Sequence, residues 1–351
     1  MDALTLLRRL CETPGVAGHE ATIRPVIEAE LRPLVDELQT DGLGSLMGLK
    51  RGTGDGDRPR LMMAAHMDEI GLLVASHQGA FLRLAPVGGI DDRVLPGQEV
   101  VVHTADGPLP GVIATRPTSR LPEDKRGKTL PLAELRVDLG LSEADTRARV
   151  RVGDVVTLQR LVTELRNGRV AGKAMDNRAS VATMLLTLDA LRGRSHAWDV
   201  YAVATVQEET GLRGAATSAF QIRPQVGIAL DVGFGEQPGL SDVETFPLGK
   251  GPSVAWGPNI HPKLHHRLMD TAQRYEIPVH FEPMPGSSGT DAWAIQTAQD
   301  GVATAILSLP TRYMHTPVET LATRDIERTA RLLALFIGEL DDAFLPSLTE
   351  W

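Results

Sequence analysis

Four short apolar runs constrain the fold of this chain more than any other feature of its sequence. The runs occupy residues 60–69, 199–209, 226–233 and 301–310. Each has the length of a buried strand, whereas 178–191 and 323–341 carry apolar residues at the 3.6-residue spacing of a helix. Strands that alternate with helices predict an α/β fold, in which a mixed, mostly parallel sheet is flanked by helices.

Residues 72–165 have a different pattern, which predicts a second domain. The segment offers short alternating strands and turns rich in glycine and proline, without a long helical period. We therefore expect a β-barrel-like domain inserted at 72–165, so that residues 1–71 and 166–351 form the two parts of the α/β domain. Within the insertion, residues 116–131 are polar and rich in turn formers, which predicts a mobile loop.

Composition argues against several classes of function. The chain has 351 residues, of which 42% are hydrophobic, and this is sufficient for a substantial core. Its formal net charge of −9 argues against a nucleic-acid-binding protein, because such proteins carry a basic surface. The single cysteine, Cys11, excludes an intrachain disulfide framework, and no run approaches the roughly 18 apolar residues of a membrane span. The N-terminus lacks a secretory pattern, so we expect a cytoplasmic protein without a membrane partner.

Histidines and carboxylates follow the predicted strands or precede a predicted helix. The set comprises His66, Asp68, Asp176, Glu208, Glu209, Asp231 and His315. Ligands of open α/β sheets bind at the carboxyl ends of the strands, so these side chains are expected to meet there. Taken singly, each has an ordinary explanation. Asp176, for example, is placed to cap a helix that begins near Arg178.

Taken together, these five carboxylates and two imidazoles indicate a metal centre. Gathered at one sheet edge, they would repel one another and destabilise the fold unless a cation compensated their charge. Mixed histidine and carboxylate ligation suits zinc and neighbouring divalent metals, and the excess of carboxylates favours two ions bridged by one aspartate. His66 and Asp68 lie two residues apart, so on a strand they share a face. The Asp68 carboxylate is therefore expected to bind the second ring nitrogen of His66.

Five short segments of the sequence together resemble those of a known family. They read AAHMDEIG, GKAMDNRAS, QEETGLRGA, ALDVG and RYMHTPVE, and they contain all the residues of the set above. In order and spacing they are similar to the signature segments of the dinuclear metallo-aminopeptidases that include glutamyl aminopeptidase, the deblocking aminopeptidases and the tetrahedral aminopeptidases. The resemblance covers essentially the whole chain, including the β-rich insertion, and it implies a zinc-peptidase-like catalytic domain.

The resemblance implies two metal sites built from five ligands. Asp176 would bridge the two ions. His66 and Asp231 would complete one site, and Glu209 and His315 would complete the other. The cofactors would be two divalent metal ions per chain, with zinc favoured and cobalt or manganese also compatible with these ligands.

The resemblance also implies the reaction, which is the removal of N-terminal residues from peptides that have a free N-terminus. Glu208 would be the general base that takes a proton from the attacking water and passes it to the leaving amine, while Asp68 would support His66. Neighbouring side chains on a regular strand point to opposite faces. The strand is therefore expected to end or kink at Glu208 and Glu209, so that both acids reach one cavity.

Assembly is a further expectation that comes from the resemblance. The tetrahedral members of the family form shells of twelve subunits through the inserted domain, which implies a homo-oligomer here, with a dodecamer as one form. None of the expected ligands lies within 72–165. We therefore expect the insertion to carry subunit contacts rather than chemistry.

Two other functions are compatible with parts of the pattern. Paired carboxylates also serve glycoside hydrolases of the cellulase type. Aromatic residues make up only 4% of the chain, however, and this leaves few platforms for sugar rings. A non-catalytic metal-binding assembly protein is the second alternative, but it would have no need of Glu208.

Several other polar residues are assigned ordinary roles. His261 and His265 have the spacing of a helical metal pair but no accompanying carboxylates, so we expect surface histidines. The glycine- and serine-containing segment 285–294 is expected either to border the substrate pocket or to provide a helix cap at Asp291. Arg312 is equally compatible with a substrate contact and with a structural role.

Overall fold

The computed structural model describes residues 1–53, 56–241, 245–341 and 343–349. Its α-helices are α1 (Ala3–Cys11), α2 (Arg24–Leu31), α3 (Glu143–Arg149), α4 (Met175–Ala190), α5 (Arg213–Ile222), α6 (Pro262–Arg274), α7 (Asp291–Gln296), α8 (Thr323–Gly338) and α9 (Phe344–Ser347). The two long helices α4 and α8 confirm the helices predicted over 178–191 and 323–341. No helix in these described ranges is long and apolar enough to cross a membrane.

A mixed sheet forms the centre of the α/β domain. Its strands are β1 (Glu37–Thr40), β2 (Leu46–Lys50), β3 (Arg60–His66), β12 (Asp199–Thr205), β13 (Val226–Phe234), β14 (Ser253–Trp256), β15 (His280–Pro283) and β16 (Ala303–Thr311). They lie in the order β1-β2-β12-β3-β13-β16-β14-β15. The neighbours β12, β3, β13 and β16 are parallel, so their carboxyl ends share one edge of the sheet. These four strands confirm the four apolar runs.

A closed antiparallel barrel interrupts the α/β domain. Its strands are β4 (Gly71–Gln78), β5 (Phe81–Val87), β6 (Glu99–Thr104), β7 (Gly107–Ala114), β8 (Arg136–Asp138) and β9 (Val155–Leu158). They close in the order β4-β5-β8-β7-β6-β9 around a separate core that includes Leu72, Val102 and Val137. The predicted fold class is therefore confirmed. The segment 116–131 contains short 3₁₀ turns at Thr118–Arg120 and Glu123–Lys125, and its mobility stays a prediction.

A small sheet connects two distant parts of the chain near the edge of the large one. It consists of β10 (Thr163–Glu164), β11 (Arg169–Gly172) and β17 (Glu319–Ala322), all paired antiparallel. In this pairing Gly172 lies opposite Glu319. The start of α4 and the segment that follows His315 are thereby brought together.

Helix α4 is buried and packs against β3, β13, α1 and α8. Val181, Leu185 and Leu188 are completely buried, as are most of their neighbours on the helix. A helix that is buried on all sides cannot rotate towards solvent without exposing part of the core. This packing holds the N-terminal end of α4, which carries Asp176, in place beside the sheet.

Candidate active site

The two adjacent glutamates leave the sheet before they reach the site. Strand β12 ends at Thr205, which pairs with His66 at the end of β3. Gln207 then takes a φ of 56° and Gly211 a φ of 128°, so the backbone turns sharply on both sides of Glu208 and Glu209. Because the pair lies beyond the strand, its side chains are not forced to opposite faces. Both line one cavity, as expected from the sequence.

One group of ligand atoms comes from three buried residues on different elements. His66 ends β3, Asp231 lies on β13, and Asp176 lies in the first turn of α4. One ligand atom from each lies within 4.8 Å of the other two. His66 Nε2 is 3.1 Å from Asp176 Oδ1 and 4.0 Å from Asp231 Oδ1.

A second group shares Asp176 with the first. It joins Asp176, Glu209 and His315, whose ligand atoms also lie within 4.8 Å of one another. His315 Nε2 is 3.3 Å from Asp176 Oδ2 and 3.5 Å from Glu209 Oε1. Asp176 thus presents Oδ1 to the first group and Oδ2 to the second, which is the arrangement that a bridging carboxylate requires.

Glu208 belongs to neither group, although it faces both. Its Oε2 lies 3.9 Å from His66 Nε2, and its side chain lines the cavity. Burial raises the pKa of Glu208 to about 10 and that of Glu209 to about 7. Without cations the Glu208 carboxyl therefore prefers its protonated form, and a cation bound beside it would lower this pKa so that the carboxylate could accept and return a proton.

Asp68 supports the site differently from the sequence prediction. Its carboxylate accepts the backbone N–H groups of Glu208 and Glu209, each at 3.1 Å. His66 Nδ1 is 3.1 Å from the backbone carbonyl oxygen of Asp68 and 3.6 Å from the carboxylate. The carbonyl rather than the carboxylate therefore orients the ring, because β3 ends at His66 and strand alternation does not extend to Asp68.

Glu319, which the sequence does not single out, supports the site in the same way as Asp68, by accepting two backbone N–H groups. This buried carboxylate on β17 accepts the backbone N–H of Asp176 at 3.0 Å and that of His315 at 2.8 Å. Burial, together with the charge of Asp176, raises the pKa of Glu319 well above its ordinary value. Its only signal in the sequence is its place four residues after His315.

The inserted barrel also reaches the site, through two glycines that follow β5. The Gly89 carbonyl oxygen is 3.0 Å from His315 Nδ1, so Nε2 is left to face Asp176 and Glu209. A Cβ atom on Gly89 would lie 2.9 Å from His315 Nδ1, and one on Gly88 would lie 3.2 Å from Glu209 Oε2. The insertion therefore positions one side chain of the site although it contains none of the expected ligands, and its role in subunit contacts stays a prediction.

The charges of the cluster fit divalent cations. The hydrogen bond with Asp176 raises the pKa of His315 to about 9. Burial lowers the pKa of His66, but the charge of Glu208 and the hydrogen bond with Asp176 outweigh it, so the pKa of His66 lies well above its ordinary value. Glu209 Oε1 is buried and receives no hydrogen bond from the described residues. In the absence of cations, protons compensate the carboxylates, and the donor set of two imidazoles and three carboxylates suits zinc-like ions.

Four other polar residues that the sequence brings into question lie outside the ligand groups, namely His261, His265, Asp291 and Arg312. His261 and His265 are buried, so the prediction of surface histidines is wrong: His261 caps α6, and His265 Nδ1 lies 2.8 Å from the carbonyl oxygen of Ala255. Thr290 rather than Asp291 caps α7. Arg312 donates to the carbonyl oxygen of Glu236, which is a structural contact.

A cavity of about 470 Å³ extends from the ligand groups. Part of the segment 285–294 borders it through Ser288, Gly289 and Thr290, which agrees with one of the two expectations for that segment. Apolar side chains, among them Leu212 and Met284, line much of the rest. The volume falls within the usual range for small-molecule sites, so the cavity can admit one end of a peptide.

Comparison with known proteins places the chain in a family. The sequence model described as M42 glutamyl aminopeptidase matches residues 44–332. The lysyl aminopeptidase of Pyrococcus furiosus is 38% identical over 341 residues, which cover 95% of this chain and 96% of that protein. The TET aminopeptidase of Thaumarchaeota archaeon SCGC AB-539-E09 has a TM-score of 0.93 at 32% identity, with 99% of this chain and 98% of that chain covered. The TET1 peptidase of Pyrococcus horikoshii, which can assemble into a tetrahedron or a large octahedral shell, has a TM-score of 0.84 at 31% identity, with coverages of 97% and 100%.

These similarities extend over the α/β domain and the barrel alike. The family match includes all five sequence segments that carry the resemblance, from His66 to Glu319. The two relatives of known structure share the complete fold rather than one domain of it. The chain belongs to the M42 family of aminopeptidases.

Proposed function

We propose that this chain removes N-terminal residues from peptides with the help of two divalent metal ions. His66 and Asp231 would hold one ion, Glu209 and His315 would hold the other, and Asp176 would bridge them. The observation that carries the proposal is the position of the Asp176 carboxylate, which presents one oxygen to each ligand group. We propose zinc as the metal, with cobalt or manganese as substitutes that the same ligands accept.

The residues around the ions would divide the remaining work. Bound divalent ions supply Lewis acidity, which polarises a peptide carbonyl and lowers the pKa of a water molecule. Glu208 would take the proton of the attacking water and deliver it to the leaving amine. Asp68 would hold the backbone of Glu208 in place through its two N–H contacts. The free amino group of the substrate would lie beside a metal ion or an acidic side chain, which would restrict cleavage to the N-terminal residue.

We further propose that the chain acts as a homo-oligomer with contacts on the barrel. The barrel exposes Phe81, Val112 and Val152, and the last of these is 63% accessible. We expect subunit contacts to bury these side chains. The assembly of the Pyrococcus horikoshii TET1 peptidase supports a closed shell as the form to look for. Sedimentation that shows only a 37.9 kDa monomer would contradict this part of the proposal.

The two adjacent glutamates provide the sharpest test of the mechanism. Glu208→Gln keeps the size of the side chain but removes the base, so turnover should fall by roughly 10²–10⁴-fold while metal affinity is retained. Glu209→Gln replaces an anionic ligand with a neutral amide, so its main effect should be weaker binding of one ion. Metal stoichiometry and hydrolysis of aminoacyl amides should be measured for both variants across a metal titration.

Excess metal should restore activity to Glu209→Gln in part and should not restore it to Glu208→Gln. Rescue of Glu208→Gln alone would mean that the two assignments are exchanged. Near-normal turnover in both variants would contradict the mechanism. Hydrolysis of a glucan that persists in the presence of a chelator would instead favour the glycoside hydrolase alternative.

A further inference from the structure

Glu282 is a carboxylate of the cavity that the proposed metal centre does not use. It lies on β15, and it lines the cavity together with the ligand groups. Its Oε2 accepts hydrogen bonds from Ser253 Oγ at 2.6 Å and from Ser308 Oγ at 2.8 Å. In the part of the chain that the structure describes, Oε1 receives no hydrogen bond, and no lysine, arginine or histidine forms an ion pair with Glu282.

The two serines hold the carboxylate in a defined orientation. Burial raises the pKa of the Glu282 carboxyl, and the hydroxyl groups of Ser253 and Ser308 oppose that rise. Each hydroxyl donates to the same oxygen, so the other oxygen keeps its capacity to accept a donor from the cavity. A partly buried carboxylate that is fixed on one side and unpaired on the other is a suitable receptor for a cationic group.

Glu282 adjoins the strand that carries the ligand Asp231. A Cβ atom on Gly233 would lie 3.4 Å from Glu282 Oε1, so the carboxylate is adjacent to that glycine. Gly233 follows the ligand Asp231 by two residues on β13 and shares its face, which separates the two positions by about 7 Å. Glu282 therefore lies to one side of the ligand groups, whereas the α-amino group of the substrate lies close to the reacting carbonyl. The long aliphatic stem of a lysine would carry its charge away from that carbonyl towards Glu282.

The walls of the cavity agree with a cationic side chain. Leu212, Phe234, Met284 and Met314 offer apolar surface on which an aliphatic stem can pack while its charged end reaches Glu282. No lysine or arginine is found among the described residues that line the cavity, so an acidic side chain would have no counter-charge there.

The charges of the cavity also favour a cationic substrate side chain beside Glu282. The carboxylates that line the cavity are those of Asp176, Glu208, Glu209, Asp231 and Glu282. Two divalent ions would carry four positive charges, and the first four carboxylates surround their place. Among the carboxylates that line the cavity, Glu282 is the one outside this group, so its charge is available to a substrate.

We propose that Glu282 forms the end of the pocket for the first side chain of the substrate and selects lysine or arginine at that position. The inference rests on the proposed aminopeptidase function, and it adds the substrate class. Glu282 is here a specificity-determining residue, since it would contact the substrate without taking part in the chemical step.

The test compares wild-type protein, Glu282→Gln and Glu236→Gln on the p-nitroanilides of lysine, arginine, leucine and glutamate. Glu236 is an exposed acid three residues beyond Gly233, so its substitution removes the same charge without changing the cavity. Wild-type protein should prefer the lysyl and arginyl substrates. Glu282→Gln should lower kcat/KM for these two by about 10- to 100-fold, the value of a hydrogen bond to a charged group, and leave the leucyl substrate unchanged. Glu236→Gln should change none of them.

A binding measurement separates this inference from the proposed function. L-lysinol and L-leucinol, which cannot be hydrolysed, should be titrated calorimetrically into the metal-loaded wild-type protein and into Glu282→Gln. The wild-type protein should bind lysinol more tightly, and the substitution should remove the preference. If the protein hydrolyses no aminoacyl amide, the proposed function fails, and the amino alcohols alone decide the inference. Equal binding of the two alcohols by the wild type, or an equal loss on all substrates in Glu282→Gln, would overturn it.

Discussion

Asparagine at position 68 should destabilise the turn that carries Glu208 and Glu209. Each oxygen of the buried Asp68 carboxylate accepts one backbone N–H of this pair, at 3.1 Å. An amide has only one acceptor oxygen, so its NH₂ group would face the other N–H. The change removes two charge-assisted hydrogen bonds of about 1.5–3 kcal/mol each and restores one neutral bond of about 1 kcal/mol. The free energy of unfolding should therefore fall by about 2–5 kcal/mol.

Asp291→Asn is a matched control, because Asp291 is also a buried acid but does not contact the turn. Its Oδ2 accepts one hydrogen bond, from Thr205 Oγ1 at 2.6 Å, and an amide oxygen can accept the same bond. Burial raises the pKa of Asp291 to about 6, from an ordinary value of 3.8. The folded chain then holds this proton more tightly than the unfolded chain, so the associated stability is lost as the pH rises through 6. At pH 8 the substitution should leave the free energy of unfolding unchanged or raise it by up to about 3 kcal/mol.

Urea unfolding of the metal-free protein at pH 8 would measure both effects. The urea concentration at the midpoint of unfolding should fall in Asp68→Asn and should stay the same or rise in Asp291→Asn. The dependence of the unfolding free energy on urea concentration should be similar in the wild type and both variants. Metal-loaded Asp68→Asn should also lose turnover, because Glu208, the proposed base, is no longer held in position. A free energy of unfolding that does not change in Asp68→Asn, or an equal loss in Asp291→Asn, would refute the assigned role of the carboxylate.

Three further results are expected. Gly89→Ala would place a Cβ atom 2.9 Å from His315 Nδ1, so it should weaken one of two metal-binding steps measured by calorimetry. Gly286→Ala is the control, because a Cβ atom there would have no neighbour within 4 Å and should leave metal binding unchanged. Equal effects of the two substitutions would contradict the contact between Gly89 and His315. Lys173→Met would leave the buried Glu69 carboxylate without its partner at 2.7 Å and should cost about 3–5 kcal/mol in denaturation, and adding Glu69→Gln should recover most of this loss. Because the pKa of His315 is about 9 without metal, the ring is protonated at pH 7 and metal must displace that proton. Metal affinity should therefore rise between pH 7 and 9, with proton release detectable in buffers of different ionisation enthalpy, and a flat profile would contradict this.

The strands that carry ligands can be predicted from the sequence because each is a continuous apolar run followed at once by polar residues. The parallel order then brings distant positions such as His66 and Asp231 to one edge. The same local reasoning does not extend past the last residue of a strand. Asp68 lies two residues after His66, but the strand has ended there, so the shared face expected from alternation does not exist.

Glu319 and the two misassigned histidines depend on contacts between distant segments. Glu319 reaches Asp176 because residues 319–322 pair with 169–172, and no local pattern predicts that pairing. The sequence predicts surface positions for His261 and His265, because no carboxylates accompany them as they would at a metal site. Their rings are nevertheless buried, because carbonyl groups of Leu348 and Ala255 approach them from other parts of the chain. Sequence reasoning identifies the residues that carry chemistry more readily than those that position them.

The contact of Gly88 and Gly89 with Glu209 and His315 limits how this domain architecture can change in evolution. A lineage can vary the outer strands and loops of the barrel, and thereby its assembly, as long as the two residues after β5 keep their place and remain without side chains. Loss of the whole insertion in a single event would remove the carbonyl group that orients His315. A form of this chain without the barrel would need another hydrogen-bond acceptor for His315 Nδ1, so the two domains are tied together by the orientation of a single imidazole ring.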